Sequence, residues 1–256
     1  MLKTLQLLGR ITADAIINLG QSVLLALDIL FGSTNLRSIF IQTYSIGIKS
    51  VLIILVSGLF IGFVITLQGF YTLAKFSAVS ALGPMVALSV IRELGPVITA
   101  LLFAGRAGSA ITSEVALMKT TEQLASLNMM GVDPVRFILA PKFWACILSL
   151  PILNLFFCTI SIWGGYLIGV KLLKISSGTF WGNMPAAVFF YGDVFNGLLK
   201  SLFFSIAIAI VSLNQGYHCQ ENSEGIAQAT TKTVVYSSLL ILGIDFLMTA
   251  LTFKGV

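Results

Sequence analysis

Long apolar runs with very few polar interruptions dominate the chain after residue 50. Five of them suit the roughly 20 mostly apolar residues that an α-helix needs to cross the hydrocarbon core of a bilayer. The predicted spans cover residues 51–67 (extended at both ends), 84–105, 143–170, 194–213 and 233–253. Because backbone polar groups in lipid must be satisfied within the segment, the pattern predicts an all-α integral membrane protein with five transmembrane helices.

Residues 2–31 show a different pattern. The polar residues that prevent this segment from being a span are Asp14, Asn18, Gln21 and Asp28. Its apolar residues recur at helical spacing, namely Ile16, Leu19, Val23, Leu27 and Leu30. This is typical of an amphipathic helix lying in the membrane interface. We therefore predict a single domain over residues 1–256, with an interfacial helix and connector (1–40) and a transmembrane core (45–256).

Small residues recur at every fourth position of the first span. Gly58 and Gly62 form a GxxxG motif, and Thr66 continues the same stripe. Such a stripe lets two helix backbones approach closely. It predicts a helix–helix contact on this face, and the alternative is an anonymous membrane anchor.

Composition and charge distribution support a membrane protein and predict its orientation. Only 10% of residues are charged, against about 25% in soluble domains. The net charge of +5 comes from basic residues that stand singly, which argues against nucleic-acid binding. With the N-terminus inside, nine Lys and Arg are cytoplasmic and four are outside, as the positive-inside rule requires. The cytoplasmic set is Lys3, Arg10, Arg37, Lys49, Arg106, Lys119, Arg136, Lys142 and Lys232, and the outer set is Lys75, Lys171, Lys174 and Lys254. Five spans then place the C-terminus outside.

Four charged residues lie inside the predicted spans: Arg92, Glu93, Lys200 and Asp245. A charge at membrane depth costs at least about 2.5–3.5 kcal/mol, so it usually faces a partner or a wet cavity. Glu93, Lys200 and Asp245 lie nine, six and eight residues from the outer ends of their spans. These spacings correspond to depths of roughly 9–14 Å. The shared depth favours a polar cavity that opens outward, and the alternative is a set of structural ion pairs between helices.

The sequence offers no catalytic or metal chemistry. It has no G-x-x-x-x-G-K-[ST] motif, so this chain does not cradle nucleotide phosphates by itself. His218 and Cys219 are neighbours but too few for a metal site. Cys146, Cys158 and Cys219 have no CxxC or CxxH spacing, and the two that lie inside apolar runs, Cys146 and Cys158, are interpreted as small hydrophobic residues. We predict that the chain is not an enzyme and holds no cofactor.

Residues 106–142 are predicted to form the longest cytoplasmic loop, with a short helix at 120–131. Thr120 or Thr121 can cap this helix, Glu122 suits its first turn, and Gly131 ends it. Its apolar face carries Leu124, Leu127 and Met130. Such a helix suits docking into a groove of a cytoplasmic partner, and the alternative is a surface helix against the bilayer.

Three segments together resemble the MlaE (YrbE) permease family of ABC transporters. They are "FIGFVITLQGF", "RELGPVITALLFAGRAGSAITSEVALMKTTEQLASLNMMGVDPVRFILAPKFWA" and "TTKTVVYSSLLILGIDFLMTAL". The resemblance runs from about residue 45 to the C-terminus, with the motifs in the family's order. It implies a homodimeric permease in the bacterial inner membrane that moves phospholipid to or from periplasmic carriers and maintains outer-membrane lipid asymmetry.

The resemblance also implies partners. These are an ATPase (MlaF) that binds ATP and Mg, a STAS-domain protein (MlaB), and a hexameric MCE-domain protein (MlaD) on the periplasmic side. The residues that match the family's lipid-binding positions are Ile65, Leu73, Phe76, Arg92, Glu93 and Lys200. Those in the ATPase-coupling helix are Glu122, Leu124, Leu127 and Met130. A family member carries tyrosine where this chain has Phe76, so the hydroxyl is missing here.

We expect specific roles for the charged residues inside the spans. Arg92 and Lys200 are expected near lipid phosphate, and Glu93 is expected to brace a neighbouring helix or the dimer contact. Two other functions are alternatives. One is a membrane scaffold that anchors the MCE and ATPase proteins without contacting lipid. The other, an ion-coupled secondary transporter, is weak because inverted repeats are not evident.

Overall fold

The computed structural model describes residues 35–253 and, before them, Gly20, Asp28 and Ile29. The predicted interfacial helix at residues 2–31 therefore lies almost entirely outside the described residues. Of its few described positions, Ile29 is buried in the main hydrophobic core.

Five long helices form the described part of the chain. They are α1 (Leu36–Lys75), α2 (Val79–Thr120), α4 (Val135–Leu172), α7 (Phe190–Tyr217) and α8 (Ser223–Phe253). Three short helices connect them: α3 (Gln123–Met129), α5 (Ser177–Gly182) and α6 (Met184–Ala187). The described residues contain no strand. All five long helices are long and apolar enough to span a membrane, which confirms the prediction of an all-α, multi-pass membrane protein.

The long helices extend well beyond the limits predicted from hydropathy. α2 has 42 residues, about 63 Å at 1.5 Å per residue, against a hydrocarbon core of about 30 Å. The prediction that residues 106–142 form a loop is wrong, because α2 continues to Thr120 and α4 already begins at Val135. Hydropathy detects only the part of a helix at lipid depth. The remainder of α2 is helical because Ile111 and Val115 are buried against neighbouring helices.

The small-residue stripe of α1 packs directly against α4. Gly58, Gly62 and Thr66 are all buried. A Cβ atom at Gly62 would collide with the Ser161 carbonyl oxygen, and one at Gly58 would lie 2.6 Å from Cγ2 of Ile160. The two backbones therefore approach each other as closely as only glycine permits. This confirms the predicted helix–helix contact.

The hydrophobic core lies between the long helices, while further apolar side chains face outward. Phe103, Phe143 and Phe204 are buried in the core, contributed by α2, α4 and α7. Leu52 on α1 and Phe246 on α8 are 73% and 72% exposed. A helix that is apolar on both its inner and outer faces is typical of a membrane span.

Polar side chains connect the long helices near the Gln123 end of the bundle, which carries α3. The Thr112 hydroxyl of α2 lies 2.9 Å from the Ser212 carbonyl oxygen of α7 and 2.8 Å from the Thr233 hydroxyl of α8. Nζ of Lys142, which is buried, lies 2.7 Å from Oε2 of Glu114. Such contacts hold membrane helices together where lipid supplies no hydrophobic driving force between them.

Candidate functional site

Two π-helical turns face each other at the Phe189 end of the bundle, which is opposite α3. One turn is Val90–Leu94 in α2, and the other is Phe190–Val194 at the start of α7. Pro96 follows the first turn, and a proline has no N–H for an α-helical bond to the residue four positions earlier, here Arg92. The α-helical ladder is interrupted there, and the wider turn is accommodated in its place. Such π-turns are frequent at functional sites.

Arg92 of the first turn pairs with Asp193 of the second. Nε of Arg92 lies 2.5 Å from Oδ1 of Asp193. The other carboxylate oxygen of Asp193 accepts a 2.7 Å hydrogen bond from the backbone N–H of Phe189, and the carboxylate is fully buried. The Arg92 side chain is 42% exposed, and its remaining guanidinium N–H groups make no hydrogen bond within the described part of the chain. Arg92 therefore retains donors that a ligand can use.

Lys200 of α7 is coordinated entirely within the protein. Its Nζ lies 2.6 Å from Oε2 of Glu93, 2.7 Å from Oγ1 of Thr249 and 3.2 Å from Oδ1 of Asp245. Two of the three donors of the ammonium group are hydrogen-bonded, to Glu93 and Thr249, and Asp245 adds an ion-pair contact. The residue is only 3% exposed. The cluster joins α2, α7 and α8 around one buried cation.

Glu93 belongs to this cluster and also reaches the surface. Its carboxylate is 39% exposed, and Oε2 carries the bond from Lys200. Thr249 lies 3.2 Å from Oε2 and 3.4 Å from Oε1. Among the described residues, the Oε1 atom has no closer hydrogen-bond partner than this long one, so it remains able to accept a hydrogen bond from a ligand.

A cavity of about 370 Å³ lies beside these charges, which is in the size range of small-ligand sites. Its lining residues are Arg92, Glu93, Phe189, Gly192, Asp193, Asn196, Lys200 and Thr252. The contacts confirm that Glu93, Lys200 and Asp245 lie at one level of the bundle. The structure thus contains both alternatives that the sequence left open, a polar cavity and interhelical ion pairs.

Two members of this site were missed by the sequence reasoning. Asp193 lies one residue before the predicted fourth span, so it was not counted among the charged residues inside the spans. Thr249 is uncharged and lies in an apolar run, where nothing marks it as a partner for Lys200. The available signal was its spacing, because Thr249 follows Asp245 by four residues and so shares its helix face.

The three apolar residues expected to contact lipid lie elsewhere. Ile65 and Leu73 of α1 pack against a cluster that includes Leu82 and Val86 of α2. Phe76 follows the end of α1 and is 76% exposed. None of the three lines the cavity beside Arg92 in the isolated chain. Their contact with lipid remains a prediction.

A short helix, α3, is present where the coupling helix was predicted, but its start differs from the prediction, and its role in coupling remains a prediction. The prediction that Thr120 or Thr121 caps it is wrong, because both hydroxyls bond to the Leu117 carbonyl oxygen, at 2.9 and 2.8 Å. Both hydroxyls therefore contact the last turns of α2, which ends later in the sequence than predicted. Glu122 precedes α3 with a φ of +57°, so it is outside the first turn.

The end of α3 agrees with the prediction. Gly131 has a φ of +75°. Its N–H donates a hydrogen bond to the Asn128 carbonyl oxygen, and the N–H of Val132 donates one to the Leu127 carbonyl oxygen. This pair of bonds is a Schellman motif, which ends a helix. Gly131 is therefore confirmed as the stop signal.

The exposed apolar surface of α3 also differs from the predicted face. Leu124 is 6% exposed and buried against the chain's own fold, and Leu127 is half-buried. Met129 and Met130 are instead 90% and 68% exposed. A cavity of about 530 Å³ lies beside this helix, lined by Lys119, Glu122, Leu124, Ala125, Asn128, Met129, Tyr217, His218 and Glu221.

The described residues contain no group of three His, Cys, Asp or Glu side chains placed to hold a metal ion. The three cysteines are buried and free. Burial raises the pKa of the Cys219 thiol, and the nearby Lys119 opposes this shift. Nδ1 of His218 lies 3.1 Å from the Asn214 carbonyl oxygen, so this nitrogen is engaged within the chain.

Comparison with known proteins agrees with this architecture. The profile of the family described as "Permease MlaE" matches residues 39–251. The "Intermembrane phospholipid transport system permease protein MlaE" of Haemophilus influenzae is 50% identical over 250 residues, 96% of each chain. A "Probable ABC transporter permease protein" of Rickettsia typhi is 37% identical over 83% of this chain and 82% of its own. Another, of Synechocystis, is 35% identical over 90% of this chain and 87% of its own. The chain therefore belongs to the MlaE permease family, and it is a transporter component rather than a catalytic enzyme.

Proposed function

We propose that this chain is the permease subunit of an ABC transporter that moves phospholipid between the inner membrane and periplasmic carriers. In this role it maintains the lipid asymmetry of the outer membrane. The family membership and the name of the Haemophilus influenzae relative support the transport of phospholipid. The observation that carries the proposal is a cavity at the Phe189 end with the partly exposed guanidinium of Arg92 in its wall.

Arg92 is the proposed phosphate contact. A cation–phosphate hydrogen bond is charge-assisted, and a planar guanidinium can meet a phosphate through two parallel N–H groups. Asp193 occupies only the Nε side of Arg92 and fixes the direction of the side chain. The guanidinium is therefore oriented before lipid arrives, which reduces the entropy lost on binding.

Lys200 has a different proposed role, because it is almost fully buried among Glu93, Thr249 and Asp245. A phosphate that displaced one of these carboxylates would leave that carboxylate without its cation, which disfavours the exchange. In this proposal Lys200 holds α2, α7 and α8 together and keeps Glu93 in the cavity wall.

Energy would come from ATP hydrolysed by a separate ATPase chain (MlaF), which carries the ATP and Mg. The exposed Met129, the last residue of α3, and Met130, which follows it, supply a docking surface, and the half-buried Leu127 supports it. α3 follows α2 after only two residues, and α2 carries Arg92 and Glu93. Movement of α3 would thus be transmitted along one continuous helix to the cavity, about 40 Å away.

The permease would act as a homodimer in the bacterial inner membrane, with MlaB and the MlaD hexamer as further subunits. The distribution of Lys and Arg supports a cytoplasmic N-terminus and a periplasmic C-terminus. The Phe189 end, with the cavity, would then face the periplasm. This orientation places the cavity next to a periplasmic carrier.

A scaffold that anchors the other subunits without touching lipid is not favoured. Such a protein has no need of charges inside its spans, and each of them is expensive at membrane depth. The relative's name also describes transport rather than anchoring.

A photoreactive phenylalanine at Phe189, which lines the cavity, tests the proposal in the assembled complex. A matched probe at Phe60, which is exposed on α1, reports contact with bulk lipid. We expect both probes to form lipid adducts, and only the Phe189 adduct to change when ATP is added. Absence of a lipid adduct at Phe189 would support the scaffold.

A further inference from the structure

Arg92 and Glu93 present opposite charges side by side to the same cavity. Their side chains are 42% and 39% exposed, the two highest values among the five charged residues of the site. They are consecutive residues of one π-helical turn, yet both line the cavity. The wall thus offers an anion-binding group and a cation-binding group within one short stretch of helix.

Each of the two groups has unused hydrogen-bonding capacity. Asp193 engages only Nε of Arg92, which leaves the other guanidinium N–H groups for a ligand. Lys200 engages Oε2 of Glu93, while the nearest hydrogen-bonding group to Oε1 in the described structure is Thr249 at 3.4 Å. Arg92 can therefore donate to one ligand group while Glu93 accepts from another.

Among the described residues, the charged groups around the cavity leave no spare positive charge. Arg92 and Lys200 are two cations, whereas Glu93, Asp193 and Asp245 are three carboxylates. A phosphate bound at Arg92 adds a further negative charge in a setting of reduced dielectric, where like charges repel strongly. A headgroup that carries its own cation supplies the missing compensation.

We infer that this cavity selects phospholipids with a zwitterionic, primary-amine headgroup, as in phosphatidylethanolamine, over anionic ones such as phosphatidylglycerol. The phosphate lies on Arg92, and the ammonium donates a hydrogen bond to Oε1 of Glu93. A two-carbon linker joins these two groups in the lipid, which suits recognition by consecutive side chains. The inference rests on the proposed function and adds the class of headgroup to it.

A quaternary ammonium fits this wall less well. It has no N–H group, so it cannot donate to Glu93, and its recognition usually relies on a cage of several aromatic rings. Among the described residues that line this cavity, Phe189 is the one aromatic residue. Stepwise methylation of the amine therefore probes the hydrogen bond to Glu93 without any change to the protein.

The experiment uses the purified, assembled complex with the photoreactive phenylalanine at Phe189. The complex is equilibrated with an equal mixture of phosphatidylethanolamine and phosphatidylglycerol of the same acyl chains, and the adducts are identified by mass spectrometry. We expect roughly tenfold more ethanolamine adduct, the factor that one charge-assisted hydrogen bond supplies. Mono-, di- and trimethylated ethanolamine lipids should lose this advantage in that order. Glu93→Gln should reduce the ratio to near one, and Glu224→Gln, an exposed carboxylate at the other end, should leave it unchanged.

The outcomes distinguish a failure of the headgroup inference from a failure of the proposed function. If both lipids are crosslinked at Phe189 in the same proportion as in the mixture, the headgroup inference is overturned and the proposed function remains intact. A loss of preference in Glu93→Gln without any effect of methylation would also overturn it, because Glu93 would then act through the fold. Absence of lipid adducts at Phe189 would instead contradict the proposed function.

Discussion

Nζ of Lys200 lies 2.6 Å from Oε2 of Glu93, and this pair joins α7 to α2. The same ammonium also donates a hydrogen bond to Thr249 and forms an ion pair with Asp245, both of α8, so it is enclosed by partners within the protein. Arg92, the neighbour of Glu93, has donors to spare and is ten times more exposed than Lys200. Two cations at similar depth therefore have different roles, one within the fold and one toward the ligand.

Replacing Lys200 with Met tests its role within the fold. The change leaves Glu93 and Asp245 without their cation, which costs about 3–5 kcal/mol for a buried pair. The loss of stability should lie toward the lower end of this range, because the Glu93 side chain is 39% exposed and solvent screens its charge. We expect a lower thermal unfolding midpoint of the purified permease in detergent.

A compensating variant provides the control for Lys200. Lys200→Met combined with Glu93→Gln and Asp245→Asn removes the unpaired charges and should regain part of the lost stability. A Lys200→Met protein that unfolds at the wild-type temperature but no longer binds lipid would instead assign the phosphate contact to Lys200.

Gly62→Ala tests the close contact between α1 and α4. The new methyl group would collide with the Ser161 carbonyl oxygen, which belongs to a rigid backbone. Overpacking of this kind costs about 1–3 kcal/mol, so thermal stability should fall. Gly243→Ala is the matched control, because its added methyl group would meet no atom within 4 Å. Equal stability of the two variants would show that α1 and α4 do not pack as described.

Met129→Asp and Met130→Asp test the docking surface of α3. Each substitution replaces an exposed apolar side chain with a carboxylate, and burying this charge unpaired at an interface costs several kcal/mol. We expect the double variant to fold and insert normally but to lose the ATPase subunit in a pull-down assay. Ser126→Asp, on the same helix, is the matched control and should retain it.

The buried Leu124 is a poor probe of docking, since Leu124→Asp would disturb the permease itself. Retention of the ATPase by the Met129→Asp, Met130→Asp double variant would move the docking surface elsewhere. The loop after Tyr217, on the same end of the bundle, is then the next candidate.

Hydropathy was sufficient to find the five long helices of the described residues but not their ends. Transfer into lipid constrains only the residues at membrane depth, and α2 beyond Gly105 is instead held by packing against other helices. Thr112 shows the reason, since its partners Ser212 and Thr233 are distant in the sequence. Such contacts are invisible until the topology is known.

The charged site was partly predictable because charge is rare and costly in a span. Counting residues from the span ends placed Glu93, Lys200 and Asp245 at one level, which their contacts confirm. Asp193 was missed because α7 begins four residues before the predicted span. Which of the two cations would be buried among partners and which would be exposed to the cavity could not be predicted, because this depends on side-chain contacts between helices that are distant in the sequence.

The central claim is that Arg92 binds the phosphate of a phospholipid in the cavity. The most direct test measures phospholipid bound per purified complex for the wild type, Arg92→Gln with Asp193→Asn, and Asp193→Asn alone. The double variant removes both members of the pair, so no buried carboxylate is left unpaired, while the single variant keeps the cation. We expect the double variant to lose most of its bound phospholipid and the single variant to retain it. Full retention by a correctly assembled double variant would contradict the account.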